Sequence, residues 1–254
     1  MKRCESGMDQ CNLVSPQNRR LAYRYTPPKT GQTYVWLCGF KSDMSGTKVS
    51  VLEDWAKAAG HGFLAFDYSG HGLSGGAFED GTITMWREDT LAVIEALSEG
   101  PLVLIGSSMG GWMALLVAAA LGARVKAMVL IAPAPDFTQE LMWPEFDAAA
   151  QAEILIEGMT LRPSEYGEPY PITRALIEDG SAWSLLGEPI KFAGPVRILQ
   201  GQQDPDVPWQ HAFRLVEALT SSDVVFTLIK DGDHRLSREQ DIARLLAACA
   251  EIAG

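Results

Sequence analysis

The chain has 254 residues, 47% hydrophobic and 21% charged, a balance that fits one sizeable α/β domain or such a domain carrying an insertion. The formal net charge is −11 and no Lys/Arg cluster exceeds the Arg19-Arg20 pair, which excludes a phosphate-backbone footprint and with it nucleic acid as a partner. No apolar run approaches the roughly eighteen residues of a membrane span, and residues 1–16 lack the apolar core of a secretory signal, so the chain is expected to stay in the cytoplasm.

Residues 19–26 (RRLAYRYT) alternate apolar and polar positions before Pro27-Pro28, the pattern of an antiparallel edge strand. Residues 33–40 (TYVWLCGF) read as a buried strand whose exit is polar, through Lys41, Ser42 and Asp43. A helix over 47–59 gathers Val49, Leu52, Ala56 and Ala59 on one face and ends at Gly60, ahead of a strand over 63–68. The glycine-rich SGHGLSGG comes next. Its Gly70-x-Gly72-x-x-Gly75 spacing matches a dinucleotide fingerprint and follows a strand, yet no helix opens from it and no acidic residue ends a second strand about 20 residues on. An oxidoreductase using this loop is therefore kept only as an alternative, no cofactor is expected, and His71 within the loop is read as structural.

Thr84 is placed to cap a helix running to Ser98. The apolar run PLVLIG then feeds Gly106-Ser107-Ser108-Met109-Gly110, and an apolar, alanine-rich run leaves it to Leu121. A serine on a sharp strand-to-helix turn has its hydroxyl exposed above the sheet, and small flanking residues let neighbouring backbone pass close by. Ser108 is the candidate nucleophile. The Met109 N–H, at the positive end of the helix, is one candidate oxyanion donor, and the Phe40 N–H, in the exit after Gly39, is the second.

Residues 125–133 form another buried strand, so strands alternate with helices in the rhythm of a mostly parallel doubly wound sheet. Over 134–194 that rhythm breaks. This aromatic, Pro- and Met-rich stretch is too long for a plain loop and reads as a cap inserted into a core of residues 1–133 and 195–254. Met142, Trp143, Tyr166 and Tyr170, together with Met159 and Trp183, are candidates to line an apolar acyl pocket over Ser108. Strands over 195–201 and 224–229 follow, and a final helix is expected from Ser237 with Gln240 completing a capping box.

In such a sheet the loops after successive strands converge on one edge, which brings together Ser108, Asp204, Asp206, Asp231, Asp233 and His234. A serine needs a base that titrates near working pH, and histidine is the natural one. His61 precedes a strand, His211 lies in a helix and His71 in the glycine loop, which leaves His234. Asp204 is the first choice for the carboxylate that orients it and Asp206 the runner-up, while Asp233 reads as a turn residue. The chemistry implied is hydrolysis of a small-molecule acyl ester or thioester through an acyl-enzyme, with no metal; a peptidase on the same triad stays open. The four cysteines, Cys4, Cys11, Cys38 and Cys249, have neither CxxC spacing nor scaffold density and are read as reduced thiols.

Five blocks carry a family resemblance: FxSDMxGxK over 40–48, FDYSGHGxSxGxFxxGTIxxW over 66–86, GPxVLxGSSMGGW over 100–112, DxxVPW over 204–209 and DHR over 233–235. Together they resemble the α/β-hydrolase family, in the group of mitochondrial palmitoyl-protein thioesterases also described as acyl-glucuronide esterases, with this chain as a bacterial-style relative. The resemblance implies the α/β-hydrolase fold with an inserted cap, Ser108, Asp204 and His234 as a triad, and a fatty acyl thioester or acyl ester as substrate type.

Overall fold

The alternation of apolar strands and amphipathic helices builds an eight-stranded sheet in the computed structural model, which describes residues 11–29, 31–164 and 167–252. In chain order the elements are β1 (Cys11–Val14), β2 (Arg20–Thr26), β3 (Thr33–Leu37), α1 (Thr47–Ala59), β4 (Gly62–Phe66), α2 (Ile83–Leu97), β5 (Leu102–Ser107), α3 (Met109–Leu121) and β6 (Val125–Ile131). Then follow α4 (Ala148–Glu157), β7 (Met159–Ser164), β8 (Gly167–Thr173), α5 (Arg174–Ala182), β9 (Val196–Gly201), α6 (Trp209–Ala218), β10 (Val224–Ile229) and α7 (Glu239–Glu251). The sheet order is β1-β2-β4-β3-β5-β6-β9-β10, antiparallel from β1 to β4 and parallel from β4 to β10. This is the α/β-hydrolase architecture, a mostly parallel sheet with helices on both faces. Among the described residues no helix is long and apolar enough to cross a membrane.

The order has a reversal that locates the site. The chain leaves β3 toward β4 and leaves β5 toward β6, in opposite directions, although β3 and β5 are neighbours with Leu37 paired to Gly106. Parallel crossovers are right-handed, so the two directions put their helices on opposite faces, where α1 packs on α7 and α2 on α3. The carboxyl ends of β3 and β5 flank the crevice left between those departures, the place where α/β sheets bind ligands. Helix α3 is buried on every side through Ala118, which is why its sequence carries no polar face.

Four sequence expectations need correction. The strand at residues 20–26 is not an edge, because the short β1 pairs outside it. The helix after the glycine loop is capped by Thr82, whose extended backbone lets its hydroxyl accept from the Met85 N–H; Thr84 sits inside the first turn and bonds elsewhere. The last helix begins at Glu239 rather than Ser237, and the box is completed by Asp241, which accepts from the Arg238 N–H. Cys38 and Cys249 are free and buried, but Cys11 is disulfide-bonded, so the reduced-thiol reading fails there.

Between β6 and β9 lie α4, the β7–β8 hairpin and α5. The two ends of this segment are tied together by Asp136, whose carboxylate accepts the N–H groups of Leu185 and Leu186. Its base is tied to the sheet's helices as well. Asp179 on α5 accepts from the Thr84 N–H at 2.7 Å and from the Thr84 hydroxyl, satisfying donors in the first turn of α2. Trp183 donates to that same hydroxyl at 2.7 Å and accepts from the Trp112 indole at 3.2 Å.

Candidate active site

At the end of β5 the chain turns into α3 within one residue. Ser108 carries that turn at φ 55, ψ −119, a sparsely populated region worth about 1–3 kcal/mol of strain in a non-glycine residue. Close packing over-determines it: a Cβ at Gly106 would lie 2.2 Å from the Gly110 carbonyl oxygen, and one at Gly110 would lie 2.0 Å from the Leu37 carbonyl oxygen. Ser108 is further held by its N–H to the Ile131 carbonyl at 2.9 Å.

The loops after β9 and β10 meet this serine. His234 Nε2 stands 3.2 Å from Ser108 Oγ, and its Nδ1 stands 2.8 Å from Asp204 Oδ2. An ionised carboxylate can only accept, so the proton sits on Nδ1 and Nε2 is left to accept from the serine hydroxyl. The Asp204 side chain is fully buried, and its Oδ1 takes the N–H groups of Asp206 and Val207 while Oδ2 also takes Gln200 Nε2 at 3.2 Å. Asp206 therefore meets the group through its backbone, and its exposed carboxylate has no such anchoring. Asp204, Asp206 and His234 place ligand atoms within 4.8 Å of one another, but the Asp204 oxygens are already filled by these donors. Asp233 accepts from the Leu236 N–H and is a turn residue.

Sequence reasoning missed two supports. Lys48 on α1 donates to the Arg235 carbonyl at 2.5 Å and to Ser237 Oγ at 3.0 Å, pinning the loop that follows His234, and burial lowers its pKa. Gln200 anchors Asp204 from within β9. The FxSDMxGxK block contained Lys48, but nothing in its spacing reveals a contact 187 residues away.

Phe40 lies in the turn that follows β3 and Met109 at the first position of α3, where Met109 has one of the N–H groups a helix leaves unpaired. The Phe40 ring heads an aromatic wall, with centroids 5.0 Å from Phe78, 5.5 Å from Phe137 and 6.0 Å from Tyr170. Of the pocket candidates, Tyr170 belongs to this wall. Met142 is buried in the core, Trp143 is half-buried against Phe146, Met159 is exposed, and Trp183 is bonded to α2 and α3. Tyr166 lies outside the described residues. Phe78 and Phe137 were not foreseen.

The glycine loop is filled by protein. Gly70 N–H bonds the Gly75 carbonyl, the Leu73 N–H is taken by Asp67 Oδ2, and a Cβ at Gly72 would lie 2.2 Å from that same oxygen. A buried carboxylate thus occupies the cradle a pyrophosphate would need.

A model described as "Alpha/beta hydrolase family" matches residues 35–248. The chain belongs to the alpha/beta hydrolase family. This hydrolase is 36% identical over 238 residues to the mitochondrial palmitoyl-protein thioesterase ABHD10 of Bos taurus, covering 92% of this chain and 76% of the relative. Mouse ABHD10 has a solved structure that superposes with a TM-score of 0.87 at 34% identity over 96% of this chain and 97% of that one. A solved structure from Agrobacterium vitis S4 superposes at 0.93 with 46% identity over 97% and 99% of the two chains. The ABHD10 relatives carry a mitochondrial address in their name, unlike the cytoplasmic expectation for this hydrolase.

Two buried histidines work against the fold of this hydrolase as pH falls. Burial holds His71 at about 4, against the pull of the Ser69 carbonyl and of nearby Asp43, and burial depresses His211 too. An unfolded histidine titrates near 6.5, so between those values the unfolded chain binds more protons and stability falls as pH falls. His71 alone contributes a loss of about 2 kcal/mol between pH 7 and pH 5. The buried carboxyls of Asp67, Asp89 and Asp136, raised by burial, oppose this as they take up protons. Urea unfolding at the two pH values should show His71→Phe losing less stability than the wild type on going from pH 7 to pH 5; an equal change in both would contradict the assignment.

Proposed function

We propose that this protein is a serine hydrolase of carboxylic esters or acyl thioesters, with Ser108 as nucleophile, His234 as general base and acid, and Asp204 as the carboxylate that orients it. The observation that carries the reading is the Asp204–His234–Ser108 relay of 2.8 and 3.2 Å ending on a strained serine at a helix N-terminus. Nε2 takes the serine proton as Oγ adds to the substrate carbonyl. The oxyanion is held by the Met109 and Phe40 N–H groups, and the leaving alcohol or thiol departs with the proton that His234 returns. A water deprotonated by His234 then cleaves the acyl-enzyme and restores Ser108.

Residues 134–194 act as a cap whose base is clamped by Asp136 and Asp179, and whose Tyr170 completes an aromatic wall with Phe40, Phe78 and Phe137. That wall suits an apolar acyl group, and the palmitoyl-protein thioesterase activity for which the ABHD10 relatives are named supports the thioester form. Hydrolysis of p-nitrophenyl esters from acetyl to palmitoyl, beside a palmitoyl thioester, tests the reading with Ser108→Ala as blank. We expect kcat/KM to rise with chain length beyond acetyl. A rate that peaks at acetyl and falls steadily would contradict an aromatic acyl site.

A further inference from the structure

We propose that His71 is a positioning residue for the oxyanion-binding turn, and the inference rests on the serine-hydrolase reading above. The turn runs from Gly39 to Ser42 and is closed by the Ser42 N–H on the Gly39 carbonyl at 3.1 Å. Its third residue, Lys41, has φ 56, the conformation that a type II turn requires there and that normally selects glycine. Such a turn has a competitor, in which the central peptide flips and the third residue relaxes to negative φ. The central peptide here is Phe40–Lys41, and its N–H is held by His71 Nε2 at 3.1 Å.

Both ring nitrogens of His71 are engaged. Because Nε2 accepts, the proton is on Nδ1, which faces the Ser69 carbonyl at 3.2 Å. Tyr68, Phe78 and Trp86 surround it edge-on with centroids at 5.6, 5.3 and 5.1 Å, so its plane is fixed as well as its tautomer. Asp67 adds a second tie from the same loop by accepting the Met44 N–H at 2.8 Å. The Gly39 carbonyl and the Phe40 N–H share one trans peptide, so with both peptides of the turn fixed the Phe40 N–H has one direction. The turn lies against the nucleophile: a Cβ at Gly39 would be 3.4 Å from the Ser108 Cβ. The glycine loop, which imitates a nucleotide site in sequence, thus serves as the bracket for the turn bearing Phe40.

The test is a double-mutant cycle on a short p-nitrophenyl ester, with competent sites counted by fluorophosphonate titration. His71→Phe keeps the ring packing and loses the acceptor; kcat per titrated site should drop about 10- to 100-fold with KM little changed. His71→Gln, whose amide oxygen can reach the place of Nε2, should recover most of the rate. In a Lys41→Gly background, where the turn conformation no longer opposes a side chain, the His71→Phe loss should shrink to within about threefold. Equal His71→Phe losses in both backgrounds, a loss expressed in KM, or a His71→Gln variant as slow as His71→Phe would each overturn the proposal. If Ser108→Ala stays active, the hydrolase reading itself has failed; if Ser108→Ala is dead while His71→Phe matches wild type, only this inference falls.

Discussion

Ser108→Ala should lower kcat on a p-nitrophenyl ester by about 10⁶-fold, close to 8 kcal/mol of transition-state stabilisation. The size follows from the way the group acts as a unit. Without Oγ there is no acyl-enzyme, His234 has no hydroxyl to deprotonate, and only substrate binding and the oxyanion donors are left to assist water. His234→Ala should reach a similar floor, and the double variant should be no worse than either single one. The fold should survive the change, because the turn is held by packing at Gly106 and Gly110 and by the Ser108 N–H, none of which needs the hydroxyl. Far-UV circular dichroism and urea midpoints beside the rates separate the two effects; a Ser108→Ala rate within tenfold of wild type would remove the nucleophile from that position.

The second large effect is expected at the carboxylate. Asp204→Asn should cost about 10⁴-fold in kcat, because an amide can present an N–H to His234 Nδ1 and drive the ring proton to Nε2, where it faces Ser108 as a donor. The amide also meets a ring of donors, since the Asp206 and Val207 N–H groups and Gln200 Nε2 all point at these oxygens. Asp206→Asn should stay within about fivefold of wild type, since Asp206 serves through its backbone N–H and its carboxylate is exposed. A reversed ranking would move the orienting role to Asp206.

Much of this was legible in the sequence where local chemistry decides the structure. Helix α1 keeps the expected bounds, 47–59, because Gly60 terminates it in the left-handed conformation at φ 78. The turn at Ser108 was readable because the strand, the glycines and the apolar helix around it state one geometry. The edge order was not, because four residues of β1 carry two alternations and no more. Thr82 and Thr84 are equally good caps on paper, and the choice is made by Asp179, 95 residues away, which takes the donors of Thr84. The same limit hid Lys48 and Gln200 as supports. Their residue types were visible, but each acts on a loop that only the folded sheet brings near. The aromatic content of 134–194 announced an apolar surface, yet Trp183 is spent on docking while Phe78 and Phe137, outside the residues singled out, join Tyr170 near Phe40.

Acylation of Ser108 during turnover can be read by mass spectrometry of the intact protein quenched in the course of p-nitrophenyl ester hydrolysis. One acyl mass should be added per chain, mapped by proteolysis to the peptide containing Ser108 and missing from Ser108→Ala. An acyl group on any other residue, or steady turnover through Ser108→Ala with no adduct at all, would contradict it.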